Sequence, residues 1–210
     1  MTDRKDLDSN YSGVFDGHLC PGDKPALLLV DMVEAYIRPD SPLYCETAAA
    51  AADSAARLVA AAREAGQLVV FTNVEYEEGG ADGGLFYKKV PSLKLFQKGS
   101  EFGAFPANLQ PEPQDWVITK KYPSAFFASG LAERLRGEGV DTLVITGYST
   151  SGCVRASALD ALQSEFAPFV AKTACADRHP GPHESNLFDL QSKYAEVVDE
   201  DAAIAVLRGA

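Results

Sequence analysis

Short, uninterrupted apolar runs recur along this chain: ALLLV at 26–30, QLVVFTNV at 67–74, WVIT at 116–119, TLVIT at 142–146, and briefer stretches at 169–172 and 196–198. A strand with one wet face alternates apolar and polar residues, whereas a run that is apolar throughout is buried on both faces, as in sheets covered on each side by crossover helices. The intervening segments read as those helices. The alanine-rich stretch 46–65 is stopped by Gly66, residues 130–137 follow Ser129 as a cap, and further helices are expected at 153–166, 184–194 and 202–207. Strands alternating with helices define an α/β fold with three layers, a doubly wound and mainly parallel six-stranded sheet between two helical layers. With 210 residues there is one substantial core, so 1–210 is read as a single domain with residues 1–24 as an amino-terminal extension.

Between 77 and 115 the pattern dissolves into Gly, Pro, Lys and aromatic residues, including GGADGG at 79–84. A connection of that length is expected to be a lid or, around 86–105, a contact between subunits.

Ligands of doubly wound sheets sit beyond the carboxyl ends of the strands, so the residues there matter most. Asp31 follows the first run, Lys120 and Lys121 follow the third, and GYSTSGC, ending at Cys153, follows the fourth. In a parallel sheet a carboxylate, an ammonium and a thiol converge. Cys153 falls on the expected first turn of a helix, behind a Gly-flanked run of hydroxyl residues, where free N–H groups favour a thiolate and a depressed pKa is expected. Two readings stand for each of these residues. Asp31 is either a working acid/base or a solvated cap, and Cys153 is either a reactive thiol or a small apolar residue at a helix start. Cys20, Cys45 and Cys175 lack that setting and are read as structural. Of three histidines only His179 and His183, after the fifth strand, could lie near Cys153. Asp31 is the more economical base.

Composition closes several alternatives. Nineteen Lys and Arg against 30 Asp and Glu give a formal charge of −11, which repels nucleic acid and anionic membranes. No run is long enough to span a bilayer, and MTDRKDLDSN lacks the apolar segment of a secretory signal, so the expectation is cytoplasmic. Four separated cysteines without CxxC exclude a disulfide scaffold and a zinc ribbon.

ALLLVDM at 26–32, KKYPSAFF at 120–127 and TGYSTSGCVRASALDA at 146–161 resemble the three signature regions of the isochorismatase-like cysteine hydrolases. Within them the chain is most similar to the N-carbamoylsarcosine amidase and maleamate amidohydrolase branch. That likeness extends to DSNYSGVFDG near the start, ADGG at 81–84 and DRHPGPHESNLFDLQSKYAEVV at 177–198. The resemblance implies a catalytic triad of Asp31, Lys120 and Cys153. Lys120 is the match rather than Lys121 because the pattern places its lysine four residues before the Ser of SAF, here Ser124. It further implies a non-proline cis peptide joining Tyr148 to Ser149, an oxyanion hole from the backbone N–H groups of Ser149 and Cys153, and Arg178 as the group that binds a substrate carboxylate, with Thr150 and His179 beside it. Read from the residues alone, Arg178 could equally be an exposed charge paired with Asp177.

Branches that bind a metal use an Asp and two His around the second strand. Here that region reads FTNVEYEEGG, so no metal and no cofactor is implied. Branches that cleave the vinyl ether of isochorismate lack the cysteine. The implied activity is hydrolysis of a small carboxylate-bearing amide or carbamoyl compound through a thioester, releasing ammonia. Maleamate is favoured over N-carbamoylsarcosine or another ureido acid by DSNYSGVFDG and ADGG. The implied partner is that small anionic substrate in a homo-oligomer, dimer or tetramer. A non-catalytic binding protein, or a thiol redox sensor resolved by Cys175, stays open on the same fold.

Overall fold

The computed structural model describes residues 4–209; residues 1–3 and 210, the outer ends of the expected domain and extension, lie outside the described residues. A short helix α1 (Arg4–Tyr11) precedes β1 (Pro25–Val30), and then come α2 (Glu34–Ile37), α3 (Ala48–Glu64), β2 (Leu68–Val74) and α4 (Gly84–Lys89). The second half contains β3 (Trp116–Lys120), α5 (Leu131–Gly137), β4 (Thr142–Tyr148), α6 (Arg155–Gln163), β5 (Ala167–Ala176), α7 (Pro180–Lys193), β6 (Glu196–Val198) and α8 (Glu200–Arg208).

The six strands form one sheet in the order β3-β2-β1-β4-β5-β6, and every pair is parallel. Strand order reverses between β1 and β4, which is where a doubly wound sheet opens its crevice. The apolar runs are continuous because both faces are covered. All six residues of β1 are buried. Leu27 and Leu29 face a cluster with Ala55 and Leu58 of α3 and Leu207 of α8, while Ala26, Leu28 and Val30 face Leu131 and Leu135 of α5, Ala158 of α6 and Leu190 of α7. Fully burying each of these leucines contributes roughly 1.5–3 kcal/mol.

Several boundaries differ from the sequence expectation. β4 continues through Gly147 and Tyr148, and β5 runs from 167 to 176, because parallel pairing with neighbours extends both past their apolar runs. α5 begins one residue late: Gly130 has φ +70, and the Ser129 hydroxyl accepts the Leu131 N–H at 3.2 Å. α7 starts at Pro180 rather than 184, since His179 caps it by accepting the Gly181 N–H and a proline at the first helical position comes with its φ already helical. The helix expected at 153–166 is broken into a wide π-type turn at Thr150–Val154 followed by α6.

The stretch 77–115 is not featureless. It contains α4 and short helical segments at Glu78–Gly80, Pro91–Phe96 and Glu101–Gly103, pieces too short to show a period. Leu93 and Phe96 pack with Val33, Ala35, Val74 and Tyr76 in a third cluster, so this stretch is bound to the carboxyl ends of β1 and β2. At the other side of the sheet, the Tyr11 ring lies 4.8 Å from that of Phe188 on α7, and the Leu19 N–H reaches Glu196 of β6 at 2.7 Å. Among the described residues no helix is long and apolar enough to cross a membrane.

Candidate active site

Asp31 is the first residue beyond β1 and has φ +52, a left-handed conformation that a short polar side chain tolerates. Its N–H donates to Thr72 Oγ1 at 3.1 Å, and the same hydroxyl donates back to Asp31 Oδ1 at 2.8 Å. Thr72 therefore fixes the carboxylate from the neighbouring strand. Lys120 closes β3, two strands away, and its side chain crosses β2 to place Nζ 2.7 Å from Asp31 Oδ2. Neither partner sees solvent, with side-chain exposures of 0% for Lys120 and 2% for Asp31. The ammonium's other protons go to the carbonyls of Tyr122 and Pro123, both at 3.0 Å, so all three of its donors are satisfied. Lys121 points elsewhere, bonding Asp82 at 2.6 Å. The pattern-based choice of Lys120 coincides with the buried one.

Cys153 comes to this pair on the π-type turn after β4. The approach depends on Gly147: its φ is +136, and a Cβ there would lie 2.1 Å from the Val30 carbonyl oxygen. Only glycine lets the ends of β4 and β1 come this close. The Tyr148–Ser149 peptide is cis. Within the turn, Gly152 and Val154 donate to the Ser149 carbonyl at 3.0 and 3.2 Å. Cys153 is 8% exposed.

The thiol's acidity is opposite to the sequence expectation. Burial pushes Cys153 up to about 12, Lys120 pulls it down, and the Asp31 carboxylate pushes it up again. Donors at a helix start do not offset the loss of water around a thiol enclosed beside a carboxylate. Cys153 rests as a neutral thiol. Burial lowers the Lys120 ammonium, but the Asp31 charge and Cys153 outweigh it and leave a net rise, so Lys120 stays a cation. A neutral thiol beside an intact ion pair is poised for a nucleophile that gives up its proton only as it attacks.

Arg178 lies two residues past β5, exposed, with its guanidinium bonded to the Pro42 carbonyl. Its N–H, not its side chain, bonds Asp177 at 2.8 Å, so the alternative of a simple surface ion pair with that residue does not hold. Thr150 is fully buried on the turn, its hydroxyl 2.8 Å from His183 Nδ1. His179 is exposed and its Nδ1 caps α7. Of the other thiols, Cys45 and Cys175 are buried, and Cys45 donates to the Asp177 carbonyl at 2.9 Å; Cys20, read as structural, is exposed.

Sequence reasoning missed the aromatic wall. Tyr36 of α2 lies with its ring 5.2 Å from that of Tyr148. Its phenol is raised well above its ordinary value, first by burial and then by the neighbouring Cys153, Asp31 and Asp177. Tyr76 is raised by burial, then by Cys153 and Asp31, while its hydroxyl donates to the Lys121 carbonyl at 2.8 Å. Tyr36 lies on α2, away from the strand ends, and Tyr76, two residues past β2, carries no acid, base or nucleophile that would single it out. Among the described residues no three His, Cys, Asp or Glu side chains come together as a metal site.

A doubly wound parallel sheet that brings a carboxylate, an ammonium and a thiol together at its carboxyl edge has the architecture of an α/β cysteine hydrolase. Residues 25–202 match the isochorismatase domain, and the chain belongs to that family. It is 44% identical over 209 residues, 99% of this chain and 98% of the relative, to maleamate amidohydrolase of Pseudomonas putida. It is 30% identical over 191 residues, covering 89% and 72% of the two chains, to N-carbamoylsarcosine amidase of an Arthrobacter species. Among solved structures, an isochorismatase family protein from Desulfovibrio vulgaris superposes with a TM-score of 0.82 at 29% identity, over 89% of this chain and 99% of that one.

Proposed function

We propose that this protein is a cysteine amidohydrolase that cleaves the carbon–nitrogen bond of a small carboxylate-bearing amide, with maleamate as substrate and maleate and ammonia as products. The observation that carries the chemistry is the buried 2.7 Å pair of Lys120 and Asp31 beside the neutral thiol of Cys153. The full-length 44% identity to a maleamate amidohydrolase, against 30% to an N-carbamoylsarcosine amidase, favours the substrate.

In this reading Asp31 takes the proton of Cys153 as the sulfur attacks the carbonyl carbon. The carbonyl becomes an oxyanion held by the N–H groups of Ser149 and Cys153. Collapse breaks the C–N bond, Asp31 returns its proton to the departing nitrogen, and ammonia leaves a thioester. Water, deprotonated by Asp31, then attacks the thioester; its collapse releases maleate and restores the thiol. Lys120 pairs with Asp31 in the resting site and balances charge as it develops. Arg178 binds the carboxylate with the guanidinium nitrogens not given to Pro42, flanked by Thr150 and by the free Nε2 of His179. The reading extends to a cytoplasmic homo-oligomer built on one domain, with 77–115 as lid or subunit contact.

The test is ammonia release from maleamate, N-carbamoylsarcosine, nicotinamide and ureido acids. Maleamate is expected to turn over fastest, and Cys153→Ala is expected to abolish release while leaving the circular dichroism spectrum unchanged. Absence of turnover with every carboxylate-bearing amide, or substantial turnover by Cys153→Ala, would overturn the assignment.

A further inference from the structure

The nucleophile turn at Thr150–Val154 is a wide π-type turn, so something outside it must hold its shape. The connection from β5 into α7, and α7 itself, do so. Asp177 Oδ2 accepts the Ser151 N–H at 2.7 Å, its Oδ1 takes the Arg178 N–H at 2.8 Å, and its carbonyl takes the Cys45 thiol at 2.9 Å. Just past the turn, Arg155 reaches Asn186 at 2.8 Å and Asp189 at 3.3 Å on α7. Among the described residues, the side-chain hydrogen bond from α7 to the turn itself joins His183 Nδ1 to Thr150 Oγ1 at 2.8 Å.

That contact is built to be rigid. His183 stands in the first turn of α7, after PGP at 180–182, whose prolines fix φ at two of three positions. His179 caps the helix through Gly181 at 3.1 Å, and the His183 N–H meets the His179 carbonyl at 3.3 Å. The imidazole is half-buried, and burial holds it below its ordinary value against the opposing charges of Asp177 and Glu184, so it is neutral at neutral pH. The Thr150 hydroxyl is fully buried, and a buried hydroxyl needs a partner. Its hydrogen-bond partner is His183, and Thr150 itself lies three residues before Cys153.

We propose that His183 is a positioning residue: through its 2.8 Å contact with Thr150 it holds the nucleophile turn in register with the Asp31–Lys120 pair. It does not touch the reacting atoms. The inference rests on the amidohydrolase reading given above. A positioning loss falls on the chemical step, so it lowers kcat and leaves KM nearly unchanged.

The experiment compares His183→Leu, which fills the space without the hydrogen bond, and His183→Asn, whose side-chain amide stands near the Nδ1 position, using whichever amide the wild type turns over. Losing one hydrogen bond at a buried site predicts a fall in kcat of about three- to tenfold for His183→Leu, with KM within about twofold. His183→Asn is expected to recover kcat to within about twofold of wild type. Should His183→Leu fail to fold, His183→Ala carries the same expectation. Unchanged kcat, a rise in KM alone, or a His183→Asn enzyme as slow as the deletion would overturn the inference while the amidohydrolase reading stands. A wild-type protein that releases ammonia from no amide overturns both.

Discussion

Replacing Lys120 with Met removes a cation from a place where its partner has no other. Asp31 is 2% and Lys120 0% exposed at the side chain, so water cannot take over the ammonium's role. Methionine matches the stem in volume and packs in the same channel, which confines the perturbation to charge and hydrogen bonding. Breaking a buried pair by deleting one partner costs about 3–5 kcal/mol, because the remaining charge is stranded. In a domain of this size each kcal/mol moves the thermal midpoint by about 2–4 °C, so Lys120→Met is expected to melt about 6–20 °C below wild type. The stranded carboxylate can relieve itself only by taking a proton, which removes the base, so ammonia release should fall to background. The informative control is the double variant Asp31→Asn, Lys120→Met. Asparagine tolerates the φ of +52 at position 31 and keeps an acceptor for Thr72, while the charge is gone. More than half of the lost midpoint should return, with activity still absent. Recovery should stop short of complete, because the Tyr122 and Pro123 carbonyls, each 3.0 Å from Nζ, lose their donor. Thermal unfolding by circular dichroism reads both numbers. A shift below about 2 °C for the single variant, or a double variant as unstable as the sum of the singles, would show that the pair is not the buried unit described.

Two further outcomes follow from the site. Because Cys153 is pushed up to about 12 from an ordinary 9.0, the native state keeps a proton that the unfolded chain gives up; this stability is complete below about pH 9 and is lost as pH rises through about 12. Cys153→Ala should accordingly lose midpoint less steeply than wild type across that window, and parallel curves would refute the raised thiol; Cys175, also pushed up to about 12, is common to both proteins and cancels. Arg178→Gln should lower kcat/KM for a carboxylate amide by roughly 10- to 100-fold, the worth of one charged hydrogen bond, and leave the corresponding methyl ester nearly untouched. An equal loss on both substrates would remove Arg178 from carboxylate recognition.

The sheet was legible because burial on both faces writes itself into the sequence as unbroken apolar runs. ALLLV became a strand with every residue buried. From that the site followed, since parallel strands send their ends to one edge, and Asp31, Lys120 and the Cys153 turn all lie there. What the sequence could not convey was long-range. HPGP at 179–182, the cap and first three residues of α7, reads as a loop until one sees that His179 caps and Pro180 starts the helix. Tyr36 comes from α2 rather than from a strand end, and the Thr150–His183 contact joins residues 33 apart. The acidity of Cys153 was misjudged for the same reason. A helix start can be read locally, but the enclosure that outweighs it is supplied by other segments of the chain.

On the proposed reading, that reversal bears on how an acidic protein would handle an acidic substrate. The chain carries a formal −11, and a substrate carboxylate must arrive against that field. A resting thiolate at Cys153 would make the triad net negative, since Lys120 already balances Asp31, and would place that charge beside the incoming anion. A neutral thiol keeps the floor of the site electrically balanced until the sulfur attacks. Arg178, exposed and anchored to Pro42, is then the cation that the proposed reading assigns to the substrate carboxylate. Burial of the thiol, which first looks like a handicap for a nucleophile, is on this reasoning what makes the site compatible with an anionic amide, with Asp31 supplying deprotonation only when the carbonyl is in place.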